Sequence, residues 1–95
     1  MEISEDKRKL LWKFISREIS ENTLSQQLGC QVDAKFILSG LESAFTQKNI
    51  ETAALFVHLG YIFGFDQTHV DILNELLLEA WHKKHENIAF VLGEL

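Results

Sequence analysis

Proline does not occur in this chain of 95 residues, where average usage of about 5% would place roughly five. Helices tolerate that absence best, because a proline inside a helix removes a donor and clashes with the preceding turn. Cysteine is almost as scarce. A single residue, Cys30, can neither close an intrachain disulfide nor build a thiolate zinc site, which excludes a secreted cystine scaffold and a zinc finger and fits a reducing compartment. No apolar run approaches the roughly 20 residues of a membrane helix. The longest, Ala53 to Phe65, is broken by His58, Gly60 and Gly64. The start, Met1 to Lys9, holds three acids and three bases with no apolar stretch of signal-peptide form behind them, so the expected location is the cytoplasm.

Positive charge is also in deficit. Nine Lys and Arg face fourteen Asp and Glu, a net charge of −5, which opposes binding to a phosphate backbone unless the bases share one face. Lys7, Arg8, Lys9, Lys13 and Arg17 do gather at the N-terminal end, but Glu2, Glu5, Asp6 and Glu18 nearly cancel them. Nucleic acid is therefore not an expected partner. From Glu18 to Glu79 there are nine acids and only two bases, Lys35 and Lys48. Such a stretch reads either as a solvated surface that keeps a small protein soluble or as an acidic face that steers a basic protein partner.

What is present is helical periodicity. Hydrophobic residues are 46% and charged residues 24% of the chain, the balance of an ordinary globular protein and not of a disordered one. Leu11, Phe14, Ile15 and Ile19 recur at spacings of three and four after Ser4 as N-cap, which predicts a first helix to about Ser20. A short helix over Asn22 to Leu28 stops at Gly29. Asp33 caps a helix carrying Phe36, Ile37, Leu41, Ala44 and Phe45, with Gly40 inside it for close packing on a neighbour. Asn49 caps a fourth, apolar on most of its circumference and therefore central, ended by Gly64 with Phe65 folding back onto its last turn. Thr68 to Asp71 has the form of a capping box that opens a fifth helix with Val70, Leu73, Leu76, Leu77 and Ala80 inward. Asp71, Glu75 and Glu79 then fall at four-residue steps on its outer face, a line of like charges that an external cation would stabilise. A polar turn over His82 to His85 precedes a last helix from Glu86 to about Leu92, closed by Gly93.

These elements predict one all-α domain over residues 1–95, made of antiparallel helix pairs stacked as a short α-solenoid. Residues 1–32 form an N-terminal helical cap, 33–64 a first pair and 66–95 a second. Trp81-His82-Lys83-Lys84-His85-Glu86 is the one dense group of titratable side chains. Its spacing is not that of a helical zinc protease motif, and the stronger reading is structural, with His82 at a negative helix end and His85 and Glu86 starting the next helix. No metal or cofactor is expected. Cys30, lacking an adjacent base or cation, reads as an inert small hydrophobe. Gly60 and Gly64 lie in a helix and make no phosphate loop.

Leu76 to Ile88, with its Leu-Leu-Leu-Glu-x-Trp-His-x-x-His-Glu-x-Ile pattern, resembles a group of small bacterial HEAT-like proteins, some of them immunity proteins of toxin systems. The likeness extends more loosely from Phe36 onward. Members of that group usually carry an acid where Ala80 stands and continue past the position of Gly93. The resemblance implies a HEAT-like stack that binds and neutralises a cognate toxin without catalysis. It also implies that Trp81, His82, His85 and Glu86 tie two repeats together. The expected partner is a basic toxin domain, met by Glu42, Glu51, Asp71, Glu75 and Glu79. The alternative is a helical scaffold or adaptor, or a fragment of a longer solenoid, with no toxin partner. Finally, Ile88, Phe90, Val91 and Leu92 surround the last helix with apolar surface, which leads one to expect a homodimer through it or another covering partner.

Overall fold

Helices in this chain begin where a small polar side chain can accept a backbone N–H from the first turn. Ser4 accepts from Lys7 at 3.2 Å, Ser20 from Thr23 at 3.2 Å, Asp33 from Phe36 at 2.9 Å and Asn49 from Thr52 at 3.0 Å. The computed structural model describes residues 4–82 and 84–94. These caps open α1 (Glu5–Ile15), α2 (Glu21–Leu28), α3 (Ala34–Gln47) and α4 (Ile50–Phe63), and α5 (Val70–Leu77) and α6 (His85–Glu94) follow. The architecture is all-helical, with no strand among the described residues.

The closest pairings are α3 with α4 and α5 with α6, while α3 also meets α5 and α1 lies on α2 and α4. A turn of only Lys48 and Asn49 reverses the chain between α3 and α4. As its all-round apolar sequence predicts, α4 is the most enclosed helix, with Leu55, Phe56 and Leu59 inaccessible to solvent. Gly40 permits that packing: a β-carbon there would lie 2.1 Å from the Phe56 ring. Phe65 does fold back, its ring seated over Gly60 at the end of α4. The radius of gyration, 12.6 Å, is close to the roughly 12.4 Å of a globule of this length, so two pairs do not yet extend into a superhelix.

Several boundaries differ from those the sequence predicts. The first helix ends at Ile15, not near Ser20, because Arg17 adopts a left-handed φ of 64° and Glu18 N–H bonds back to the Lys13 carbonyl. That is a Schellman closure made without glycine, which periodicity cannot see. Thr68 is not the cap of the fifth helix. Asp66 instead caps the turn that leads into it, accepting from the Thr68 N–H at 2.8 Å and from the Thr68 hydroxyl, while its own N–H donates to His69 Nδ1 at 3.0 Å. Consequently Gln67–His69 forms a 3₁₀ turn and α5 starts at Val70. It also ends early, at Leu77, which leaves Ala80 exposed and outside the helix. Gly93 lies inside α6 and does not close it.

Candidate functional site

The early end of α5 follows from the two histidines of the motif. In a continuing helix the Leu76 and Glu79 carbonyls would accept from backbone N–H groups four residues on. Here His82 Nε2–H donates to the Leu76 carbonyl, which also takes the Glu79 N–H at 3.1 Å, and His85 Nε2–H donates to the Glu79 carbonyl, so the two rings hold carbonyls where the chain leaves the helix and turns. The second nitrogen of His82 is occupied as well: Nδ1 accepts from the Lys84 N–H at 3.1 Å. This fixes the neutral tautomer with the proton on Nε2. The two rings stack, centroids 4.3 Å apart and planes 19° from parallel, and the Trp81 ring stands edge-on to His82 at 5.0 Å.

His69 repeats this arrangement at the other end of α5. It is fully buried, with Nδ1 on the Asp66 N–H and Nε2 on the Ala34 carbonyl at 3.0 Å, which ties the start of α5 to the start of α3. Its role was invisible in the sequence, where an isolated histidine beside a threonine carries no signal. Trp81 is only half-buried at the edge of the core, and its Nε1–H donates to the Glu79 carboxylate at 3.2 Å. Glu86 is exposed in the first turn of α6. A metal reading of His82, His85 and Glu86 has no geometric support, since the Nε2 atoms face backbone carbonyls. No group of three or more metal-ligating side chains forms among the described residues. Cys30, read from the sequence as an inert small hydrophobe, is a free and exposed thiol.

The acidic residues divide into two kinds. Glu42 on α3, Glu51 in the first turn of α4, and Asp71 and Glu75 on α5 are exposed, and among the described residues none has a cation within 4.0 Å. Their helices are neighbours, because α3 packs on both α4 and α5. Glu79 departs from the expected line: with α5 ended, it lies in the turn, engaged by Trp81 and 3.9 Å from Lys48. The Asp66 carboxyl is held below its ordinary value of 3.8 by hydrogen bonds from the Thr68 hydroxyl and N–H. His58, exposed on α4 with Trp12 edge-on at 5.8 Å, is lowered from 6.5 by partial desolvation and then by the Lys84 charge. Between α1 and α2 a shallow depression is lined by Lys7, Lys9, Lys13 and Gln27 together with Asp6, the same mixture of signs that the sequence shows.

At the far end of α4 an apolar groove of about 200 Å³ opens towards α6. Gly60, Tyr61, Gly64, Phe65, Phe90 and Val91 line it, with the Phe65 ring seated over Gly60. Of the apolar set on α6, Ile88 and Val91 are buried and Phe90 is 63% exposed. The open apolar surface is therefore narrower than the sequence suggests. No family model, curated protein or solved structure matches this chain.

Proposed function

We propose that the chain is a non-catalytic, protein-binding domain of the immunity type, a short HEAT-like stack that neutralises a basic toxin domain through its acidic outer surface. The observation that carries this reading is the unpaired state of Glu42, Glu51, Asp71 and Glu75, four exposed carboxylates on three adjoining helices. A net charge of −5, with no cation within 4.0 Å of these carboxylates among the described residues, gives that surface the sign that accelerates encounter with a cationic partner. The succession of α3–α4 and α5–α6 pairs, joined by α3 against α5, supports the HEAT-like stacking. The buried histidines support a structural use of the motif, because every ring nitrogen of His69 and His82 meets a backbone group.

The test uses the product of the reading frame adjoining this gene. Co-expression should protect cells from that product, and the purified pair should associate at a rate that falls with salt. The double variant Asp71→Lys with Glu75→Lys should associate severalfold more slowly at low salt and lose most of the salt dependence. Unprotected cells, or equal association rates for variant and parent, would overturn the reading.

A further inference from the structure

Among the described residues, large apolar side chains left in water are few: Ile50, Tyr61, Ile62, Leu78 and Phe90. Tyr61, Ile62 and Phe90 belong to the groove end of α4 and to α6, where the groove already described opens. We infer that this groove is the anchoring pocket of the proposed basic partner, taking one apolar side chain of a partner segment that carries a lysine or arginine beside it. The inference rests on the protein-binding reading above and adds to it the place and chemistry of the anchor.

The groove is held open by the fold itself. The Tyr61 hydroxyl donates to the Asn87 carbonyl at 3.0 Å, bridging α4 to α6, and the Phe65 ring lies over Gly60. At about 200 Å³ it is smaller than the roughly 300–1,000 Å³ of small-molecule sites and suits a single inserted side chain. Aromatic walls with one polar handle are the composition of interface anchors, whose energy concentrates in a few well-packed residues. Among the described lining residues the single charged one is Glu94, so the group adjoining the inserted side chain is a cation, with arginine able to grip the carboxylate in two places. The same carboxylate argues against a second copy of this chain. An isologous contact sets each patch on its own twin, bringing Glu94 towards Glu94 and joining two molecules of net charge −5.

The experiment pans a phage-displayed library of random dodecapeptides against the full chain. Enriched peptides should carry an aromatic residue or leucine within a few positions of a lysine or arginine. Phe90→Asp should weaken the best of them by about tenfold or more, the loss of one anchor. Glu94→Lys should shift the enriched charge from basic to acidic. Both positions are exposed, and unchanged circular dichroism and melting show that the variants remain folded. Absence of enrichment, or enriched peptides indifferent to Phe90→Asp, overturns the anchor. So does a sedimenting dimer of the parent that Phe90→Asp dissociates, which would assign the groove to a second copy. Basic peptides that respond to Asp71→Lys with Glu75→Lys but not to Phe90→Asp would remove the anchor and keep the acidic surface. The reverse pattern would remove the acidic surface and keep the anchor.

Discussion

Replacing His82 by phenylalanine removes the histidine nitrogens while keeping an aromatic ring, somewhat larger, to stack on His85. Two bonds disappear, that to the Leu76 carbonyl and that from the Lys84 N–H. The Leu76 carbonyl keeps the Glu79 N–H at 3.1 Å, so it loses one of two donors and the cost is that of an ordinary hydrogen bond, about 0.5–1.5 kcal/mol. Lys84 is only half-buried, and water can take its N–H, so that part costs about 0.5–1 kcal/mol. The sum, about 1–2.5 kcal/mol, is a sizeable share of the roughly 5–15 kcal/mol of a typical domain. At about 4–8 °C per kcal/mol for this size, thermal unfolding followed by circular dichroism should show Tm lowered by at least about 4 °C. His58→Phe is the matched control. That ring is exposed and makes only the edge contact with Trp12, so Tm should move little. Equal melting of His82→Phe and parent, or a larger loss for His58→Phe, would refute the claim that ring nitrogens terminate α5.

Gly40→Ala should destabilise by about 2 kcal/mol in urea titrations, the overpacking cost of about 3 less the helix-propensity gain of about 1, because the enclosed Phe56 cannot move aside. Gly60→Ala should cost less, since the half-buried Phe65 ring can swing outwards; the opposite ranking would refute the contrast. Arg17→Gly should stabilise by about 0.5–1 kcal/mol by relieving the left-handed backbone, and unchanged or lower Tm would contradict it. Acid should weaken the fold in two stages. The folded chain holds the His58 proton less tightly than the unfolded one, so stability falls as pH drops below about 6.5, and His58→Gln should flatten that slope. Asp66, depressed in the folded state, contributes stability present above 3.8 and lost as pH falls through its lower folded value, which Asp66→Asn should remove.

The helices were legible because their signals are local. Ser4, Asp33 and Asn49 are caps in sequence and in space, and the burial of Phe36, Ile37, Leu41 and Leu55 follows spacing alone. The boundaries that moved depend on side chains acting at a distance or in an uncommon backbone state. Arg17 enters the left-handed region with nothing in its type to announce it, and His69 stops at a carbonyl 35 positions away. The sequence places His82 at a negative helix end and His85 at the start of the next helix, where α6 does begin; what it does not show is that both rings donate hydrogen bonds to the Leu76 and Glu79 carbonyls. Glu79 was placed on an acidic line by extrapolating a helix that those donors had already stopped. The groove beside Phe90 could not be read at all, since its lining comes from two segments far apart in the chain, Gly60 to Phe65 and Phe90 to Glu94.

The bond from His69 to Ala34 also bears on assembly. Pairing across the two-residue turn between α3 and α4 closes a very short loop and is available as soon as those residues have left the ribosome. The bond at the entry to α5 needs a carbonyl that belongs to the start of α3, so it closes only when that part of the first pair is in place. Synthesis from the N-terminus supplies the parts in that sequence, and the later helices emerge onto a surface already prepared for them.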